Sequence, residues 1–309
     1  MRSLVDKRLV FVAGKGGVGR TTVAASLGLA AARAGKRTIV CEVSEQERMS
    51  RAFRHEGVGY SEAELAPSLS AISIDPDRAL EEWLRWQLRS GALAGLLKQS
   101  RIFHYLAAAA PGVKELVTVG KIWELAQLER KTAKAAPYDL VIVDSPATGH
   151  GLGMLRAPRT FGDVARVGPI RRQADKIHSF ITDARATGVL VVALPEEMPV
   201  NETLDFGRRL HDQMGMTIDA VVVNGLFPER FTGPEAKRFE SLDGRVSPEV
   251  CAALEAALSE HRRARTQRAQ LRRLRREVDA PVATLPYLFE SELGLDQFER
   301  LARELDRKL

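Results

Sequence analysis

The stretch FVAGKGGVGRTT, residues 11–22, constrains this chain more than any other. An apolar run leads into glycines at 14, 16, 17 and 19, and an alanine-rich segment with helical spacing follows. Glycines let backbone N–H groups close around phosphate oxygens, and the positive end of the next helix points at the same place. The residues fit the pattern G-x-x-x-x-G-K-[ST] everywhere except at position 20, where Arg20 replaces the lysine. Phosphate contacts are therefore expected from Gly14, Lys15, Gly16, Gly17, Val18, Gly19, Arg20, Thr21 and Thr22, with the Thr21 hydroxyl offered to a divalent cation. A plain glycine-rich turn is the alternative, and the strand-to-helix context weighs against it.

The rest of the chain extends the same logic. Short apolar runs at 8–14, 37–43, 70–74, 139–144, 188–194, 219–224 and 281–286 do not alternate polar with apolar, as buried parallel strands do not. Helical patterns such as Thr21–Ala34 and Asn201–Met214 separate most of them. That order predicts an α/β fold with a doubly wound, mostly parallel sheet, as one domain over 1–309. Two connections are too long for simple crossovers, so helical insertions are expected at about 77–136 and 156–186, together capping the nucleotide edge. Leu80, Trp83, Leu84 and Leu88 keep helical spacing in the first, which reads as core or as a groove for a hydrophobic segment.

Charge is spread unevenly. The net charge is +6, and residues 261–277 hold eight arginines against one carboxylate. Such a stripe reads as a solvated helix face near a subunit contact, or as a surface for nucleic acid or an anionic membrane. No apolar run approaches a membrane span, and the charged amino terminus runs straight into a strand pattern, so a cytoplasmic protein is expected. Cys41 and Cys251 are too far apart for a metal or redox pair, and the six histidines show no metal-ligand spacing.

The early lysine narrows the class. With Lys15 the loop resembles the signature-lysine loop of the MinD, ParA and ArsA group of ATPases. DLVIVDSPATGHGLGML (139–155) resembles the switch segment of the ArsA family, which includes arsenite-pump ATPases and tail-anchored-protein targeting ATPases. ALPEEMPVNETLDFGRRL (193–210), VVVN ending at Asn224, and the closing LPYLFESELGLDQFERLARELDRKL extend that resemblance over nearly the whole chain. It implies ATP/ADP and Mg2+ as ligands, and a homodimer or a heterodimer with a related subunit, Lys15 reaching across to the partner's nucleotide. It also implies metal holding by Asp144, with a helix N-cap as that residue's alternative, beside Thr21, and γ-phosphate sensing by Thr148, Gly149 and His150; Glu42, outside the matched motifs, is read as placed for the metal sphere. Asn224 is expected at the adenine, its alternative being a strand-capping turn residue; Pro286, Tyr287 and Leu288 are expected against the base.

Two departures bear on chemistry. Arg20 puts a planar guanidinium where a compact lysine charge belongs. Where the family carries D-P-A-H after the second strand, Ser44 stands opposite the water-orienting aspartate, flanked by Glu42 and Glu45 as substitutes or as solvated loop charges. The catalytic set read from sequence is therefore Lys15, Arg20, Glu42, Ser44, Glu45 and Asp144, with hydrolysis expected to be weak in this subunit alone. The lack of a cysteine cluster argues against arsenite pumping. A ParA-like or MinD-like switch on DNA or a membrane surface, and a silent nucleotide-binding scaffold, are the alternatives; a hydrophobic protein cargo or membrane partner is left open.

Overall fold

The computed structural model describes residues 4–43, 48–87, 112–132, 135–165, 167–242, 246–290 and 292–308. Eight strands form one sheet in the order β3-β4-β2-β5-β1-β6-β7-β8. They are β1 (Leu9–Gly14), β2 (Thr38–Val43), β3 (Ala63–Ala66), β4 (Leu69–Ile74), β5 (Leu140–Asp144), β6 (Thr187–Ala193), β7 (Ala220–Leu226) and β8 (Val282–Pro286). Every neighbouring pair is parallel except β3 with β4. The central strand β1 is buried at all six positions, as a strand covered on both faces must be.

Residues alternate between the two faces. Val10, Val12, Val40 and Ile142 pack under α1 (Arg20–Arg33) together with Phe298, Leu301 and Leu305 of α10 (Leu295–Asp306). Helix α1 buries Val23 through Ala31 without a break, because small residues let it sink between the sheet and α10. On the other face, Phe11, Ile39, Val141 and Val191 pack against α4 (Val113–Leu125), α6 (Pro169–Thr182) and α7 (Glu197–Met214).

The expected strands all form, with ends shifted by one or two residues. The four-residue β3 was not anticipated: its AELA sequence has none of the β-branched side chains that mark the other strands. The insertions also differ from expectation. Within the described residues, α3 (Pro76–Gln87), α4, α5 (Thr148–Ala165) and α6 form a layer on the sheet face opposite α1 instead of a cap over its nucleotide edge. Apolar residues such as Ile122, Leu155, Ile177 and Ile181 are buried in the sheet's core, and that burial fixes the layer there. The second helical segment starts at Thr148, directly after β5. Residues 88–111 of the first insertion lie outside the described residues.

Three shorter or later helices complete the fold: α2 (Arg48–Ala52), α8 (Gly233–Glu240) and α9 (Pro248–Glu277). Cys41 is buried in β2 and Cys251 lies on α9, both free thiols as expected, and burial pushes the Cys41 thiol up. Among the described residues no helix is long and apolar enough to cross a membrane.

Candidate nucleotide site

The loop between β1 and α1 is built from backbone geometry that only glycine tolerates. Gly14 and Gly19 have φ of 153° and 91°. A Cβ on Gly14 would stand 2.5 Å from the Val192 carbonyl oxygen, and one on Gly19 would stand 2.3 Å from Nδ2 of Asn224. Side chains at either position are thus excluded by conformation and by space. Gly19 caps α1 without a side chain of its own, so the first N–H groups of the helix face outwards.

Asn224 reaches the loop from the end of β7. Its Nδ2 donates to the Val18 carbonyl at 3.0 Å, which ties the phosphate loop to the strand two places away in the sheet. The same side chain was read as an adenine contact; the structure shows its amide nitrogen at the loop backbone. Beyond it, Tyr287 stacks on Phe227 with ring centroids 4.4 Å apart, and its N–H bonds the Leu226 carbonyl at 3.0 Å. Pro286 ends β8 and Leu288 packs on the α1-side core, so the three residues are spread along one short segment beside β7.

Three oxygen-bearing side chains lie at the ends of β2 and β5 and the start of α1. Thr21 Oγ1 donates to Asp144 Oδ2 at 2.6 Å. Glu42 is the register partner of Asp144 on the adjacent strand, so both carboxylates project to the α1 face. Glu42 is 3% exposed, and its Oε1 accepts a hydrogen bond from the Met49 N–H at 3.0 Å. No cluster of three or more His, Cys, Asp and Glu is found among the described residues. Two carboxylates and a hydroxyl suit a magnesium ion, which takes few protein oxygens and completes its shell with phosphate and water.

The two cations of the loop are both engaged. Arg20 donates from Nη1 to the Ser145 carbonyl, one residue past Asp144. Lys15 Nζ lies 2.7 Å from Glu202 Oε1 and 2.9 Å from the Met198 sulfur, both on α7. Both ends of the Lys15–Glu202 pair are more than a third exposed. Sequence reasoning missed Glu202, whose pairing spans 187 residues and has no local signature. An open cleft of about 550 Å3 lies over Gly17, Gly19 and Thr22 and is also bounded by Arg51, Glu292 and Phe298, none of them foreseen. Thr148, Gly149 and His150 form the first turn of α5 after β5, with Gly149 and His150 exposed. Ser44 and Glu45 lie outside the described residues.

These positions can be set beside known proteins. A family model described as anion-transporting ATPase matches residues 7–173 and again 164–307. The chain belongs to the anion-transporting ATPase family. The ATPase BagA of Mycobacterium tuberculosis is 30% identical over 227 residues, 72% of this chain and 66% of its own. A putative arsenical pump-driving ATPase of Halobacterium salinarum is 26% identical over 311 residues, 97% of this chain and 44% of that protein. The ATPase GET3 of Phaeosphaeria nodorum is 26% identical over 261 residues, 72% of this chain and 78% of its own. The chain thus spans 66% of the length of the mycobacterial relatives it matches. Membership of this family fits the doubly wound sheet and the strand-to-helix phosphate loop.

A second charged cluster lies at the β3 edge. Arg130, with a fully buried side chain, donates to Glu124 at 2.9 Å and to Glu62 at 2.6 Å. Lys121 joins Glu82 at 2.9 Å and Glu124 at 3.3 Å. Burial alone would raise the Glu124 carboxyl, yet hydrogen bonds from Arg130 and the charges of Lys121 and Arg130 outweigh it and hold it below the usual range. Glu62 is lowered in the same way, against its own burial, by bonds from Arg130 and Tyr138. Burial first, then the bond to Glu62, pushes the Tyr138 hydroxyl up to about 12.

Proposed function

We propose that this chain is an ATP-binding and ATP-hydrolysing subunit that works as a dimer, with turnover attenuated in this subunit alone. The observation that carries the binding half is the Thr21–Asp144 contact at 2.6 Å at the foot of a loop that only glycines can form. Backbone N–H groups of 15–20 hold the phosphates, the cleft over Gly17 and Gly19 takes the nucleotide, and Asn224 and Tyr287 border its base. Thr21, Asp144 and Glu42 hold Mg2+. That ion, when bound, neutralises charge on the phosphates.

Attenuation rests on Arg20. Phosphoryl transfer depends on positioning and charge stabilisation, and Arg20 spends one donor on the Ser145 carbonyl instead of aiming a compact charge at the loop. The Ser44 departure points the same way. Lys15 supports the dimeric half: it is more than a third exposed and, among the described residues, is held by Met198 and Glu202 of α7, so an exchange of Glu202 for a partner's phosphate costs little.

Steady-state ATP hydrolysis by the purified chain tests this reading. Slow turnover is expected despite saturating nucleotide binding, and Arg20→Lys combined with Ser44→Asp should raise the rate. A normal turnover by the unmodified chain without a partner overturns the attenuation, and loss of all nucleotide binding overturns the whole reading.

One observation favours a hydrophobic cargo as what the cycle serves. Between α3, α4, α5 and α6 lies a cavity of about 220 Å3 bordered by Leu80, Trp83, Trp86, Val117, Trp123 and Phe161. Lys131 sits at its border, 4.9 Å from the Trp86 ring centroid. Quenching of tryptophan fluorescence by an apolar peptide, and its reversal by ATP, checks this use.

A further inference from the structure

Helix α9 is a 30-residue rod whose two halves carry opposite charge. Glu249, Glu255 and Glu260 lie in the first half; from Arg262 to Arg276 there are eight arginines and no carboxylate. Ala264, Gln267, Leu271 and Leu274 are buried and seat the basic half on the fold. Gln267 fixes that seat, accepting from the Phe227 N–H at 2.8 Å and donating to the Gly225 carbonyl at 3.3 Å.

The arginines divide into two sets. Arg268 bridges Glu229 at 2.8 Å and the Phe227 carbonyl at 2.9 Å, Arg263 lies over the Phe227 ring at 4.5 Å, Arg273 meets Glu277 at 3.1 Å and Arg262 meets Glu240 at 3.3 Å. Arg265, Arg272, Arg275 and Arg276 are exposed and make no ion pair or hydrogen bond among the described residues. At about 100° per residue, Arg265, Arg272 and Arg276 fall within roughly 20° of one line along the helix, about 10 Å and then about 6 Å apart. Only small or polar side chains, Thr266 and Ala269, lie exposed between Arg265 and Arg272. The result is a straight ridge of uncompensated guanidinium groups on a rigid support.

We infer that this ridge binds the phosphate backbone of double-stranded nucleic acid without reading its sequence. Charge complementarity selects a polyanion, and a duplex presents a negative charge about every 1.7 Å of its axis along a stiff rod. A protein partner would meet no aromatic or aliphatic anchor on the ridge, although interface cores depend on them. A flat anionic membrane would find no large apolar side chain to insert on the ridge, where only Thr266 and Ala269 lie exposed between Arg265 and Arg272. A duplex crossing the helix touches the basic half alone. The inference stands apart from the nucleotide site, since none of the four arginines borders the phosphate loop.

The test is fluorescence anisotropy of a labelled duplex of mixed sequence, titrated with the full chain without nucleotide. Three backbone contacts from the ridge and a fourth from Arg275, about 80° round the helix, predict an affinity loss of about 10²-fold between about 50 and 200 mM salt. Replacing Arg265, Arg272, Arg275 and Arg276 together by glutamine should flatten the salt slope by about one unit for each residue removed, and the same four changes to lysine should retain it. Circular dichroism melting and ATP retention verify that the glutamine variant is folded. Four outcomes overturn the inference: no duplex binding at low salt, unchanged binding by a folded glutamine variant, equal binding of polyglutamate, or capture by phosphatidylglycerol vesicles with none by duplex.

Discussion

The nucleotide site and the ion cluster at the β3 edge use the same kinds of groups in opposite ways. At the edge, Arg130 and Glu124 have no more than 1% of their side chains exposed, and each bonds several partners within the subunit. At the loop, Lys15 rests on a half-exposed glutamate, and Arg20 on a backbone carbonyl. Charges sealed and satisfied in one place hold the fold together; at the loop, the Lys15–Glu202 pair stands more than a third open to solvent at both ends. Burial, more than residue type, separates the cluster at the edge from the charges at the loop.

The sharpest way to break that contrast is Arg130→Met. It removes the buried cation that Glu124 shares with Lys121 and that the more exposed Glu62 also uses, and a loss of about 3 kcal/mol is expected in urea unfolding. Adding Glu124→Leu and Glu62→Leu should restore much of that loss, since uncompensated charge is its cause. At the loop, Asp144→Asn should leave the melting temperature nearly unchanged while weakening magnesium-dependent ATP binding by about 10²-fold, the worth of a charged contact of roughly 2–3 kcal/mol. Calorimetric titration with and without magnesium checks it.

Acid probes the edge cluster. The folded carboxyls of Glu62 and Glu124 lie below their unfolded value near 4.3, so the stability they contribute is complete above about pH 5. It is lost as pH falls through the lowered folded values, and in Arg130→Met this part of the acid dependence should disappear from melts taken between about pH 5 and 3. The smallest effect belongs to Glu202→Gln. Breaking a half-exposed pair costs about 0.2–1 kcal/mol, too little to unfold the chain. Because it frees Lys15, dimer formation with ATP should shift to lower protein concentration in sedimentation runs.

The local geometry of the glycine loop was more legible in the sequence than its surroundings. The phosphate loop is encoded in neighbouring residues, and each glycine has a local backbone reason, so 14–22 could be read directly. Asp144 was legible because an apolar strand ends on it. The supports were not: Glu202 meets Lys15, and Arg130 meets Glu62, only after the chain has crossed the sheet, and no spacing rule connects them. The insertions were legible as helices but not in place, since period says which face of a helix is apolar and not which core receives it. Strand β3 escaped because its pairing with β4, not its own composition, makes it a strand.

The two outer strands of the sheet bear on how copies of this chain can meet. On one flank β3 has four residues with an irregular register against β4, and on the other β8 ends in Pro286 and follows Pro281. Short, kinked or proline-bracketed borders give a foreign strand little continuous backbone to zip onto. Sheet-to-sheet extension, and the open-ended fibres it produces, is thereby discouraged on either side. Any contact between copies is left to surfaces other than the sheet's own borders.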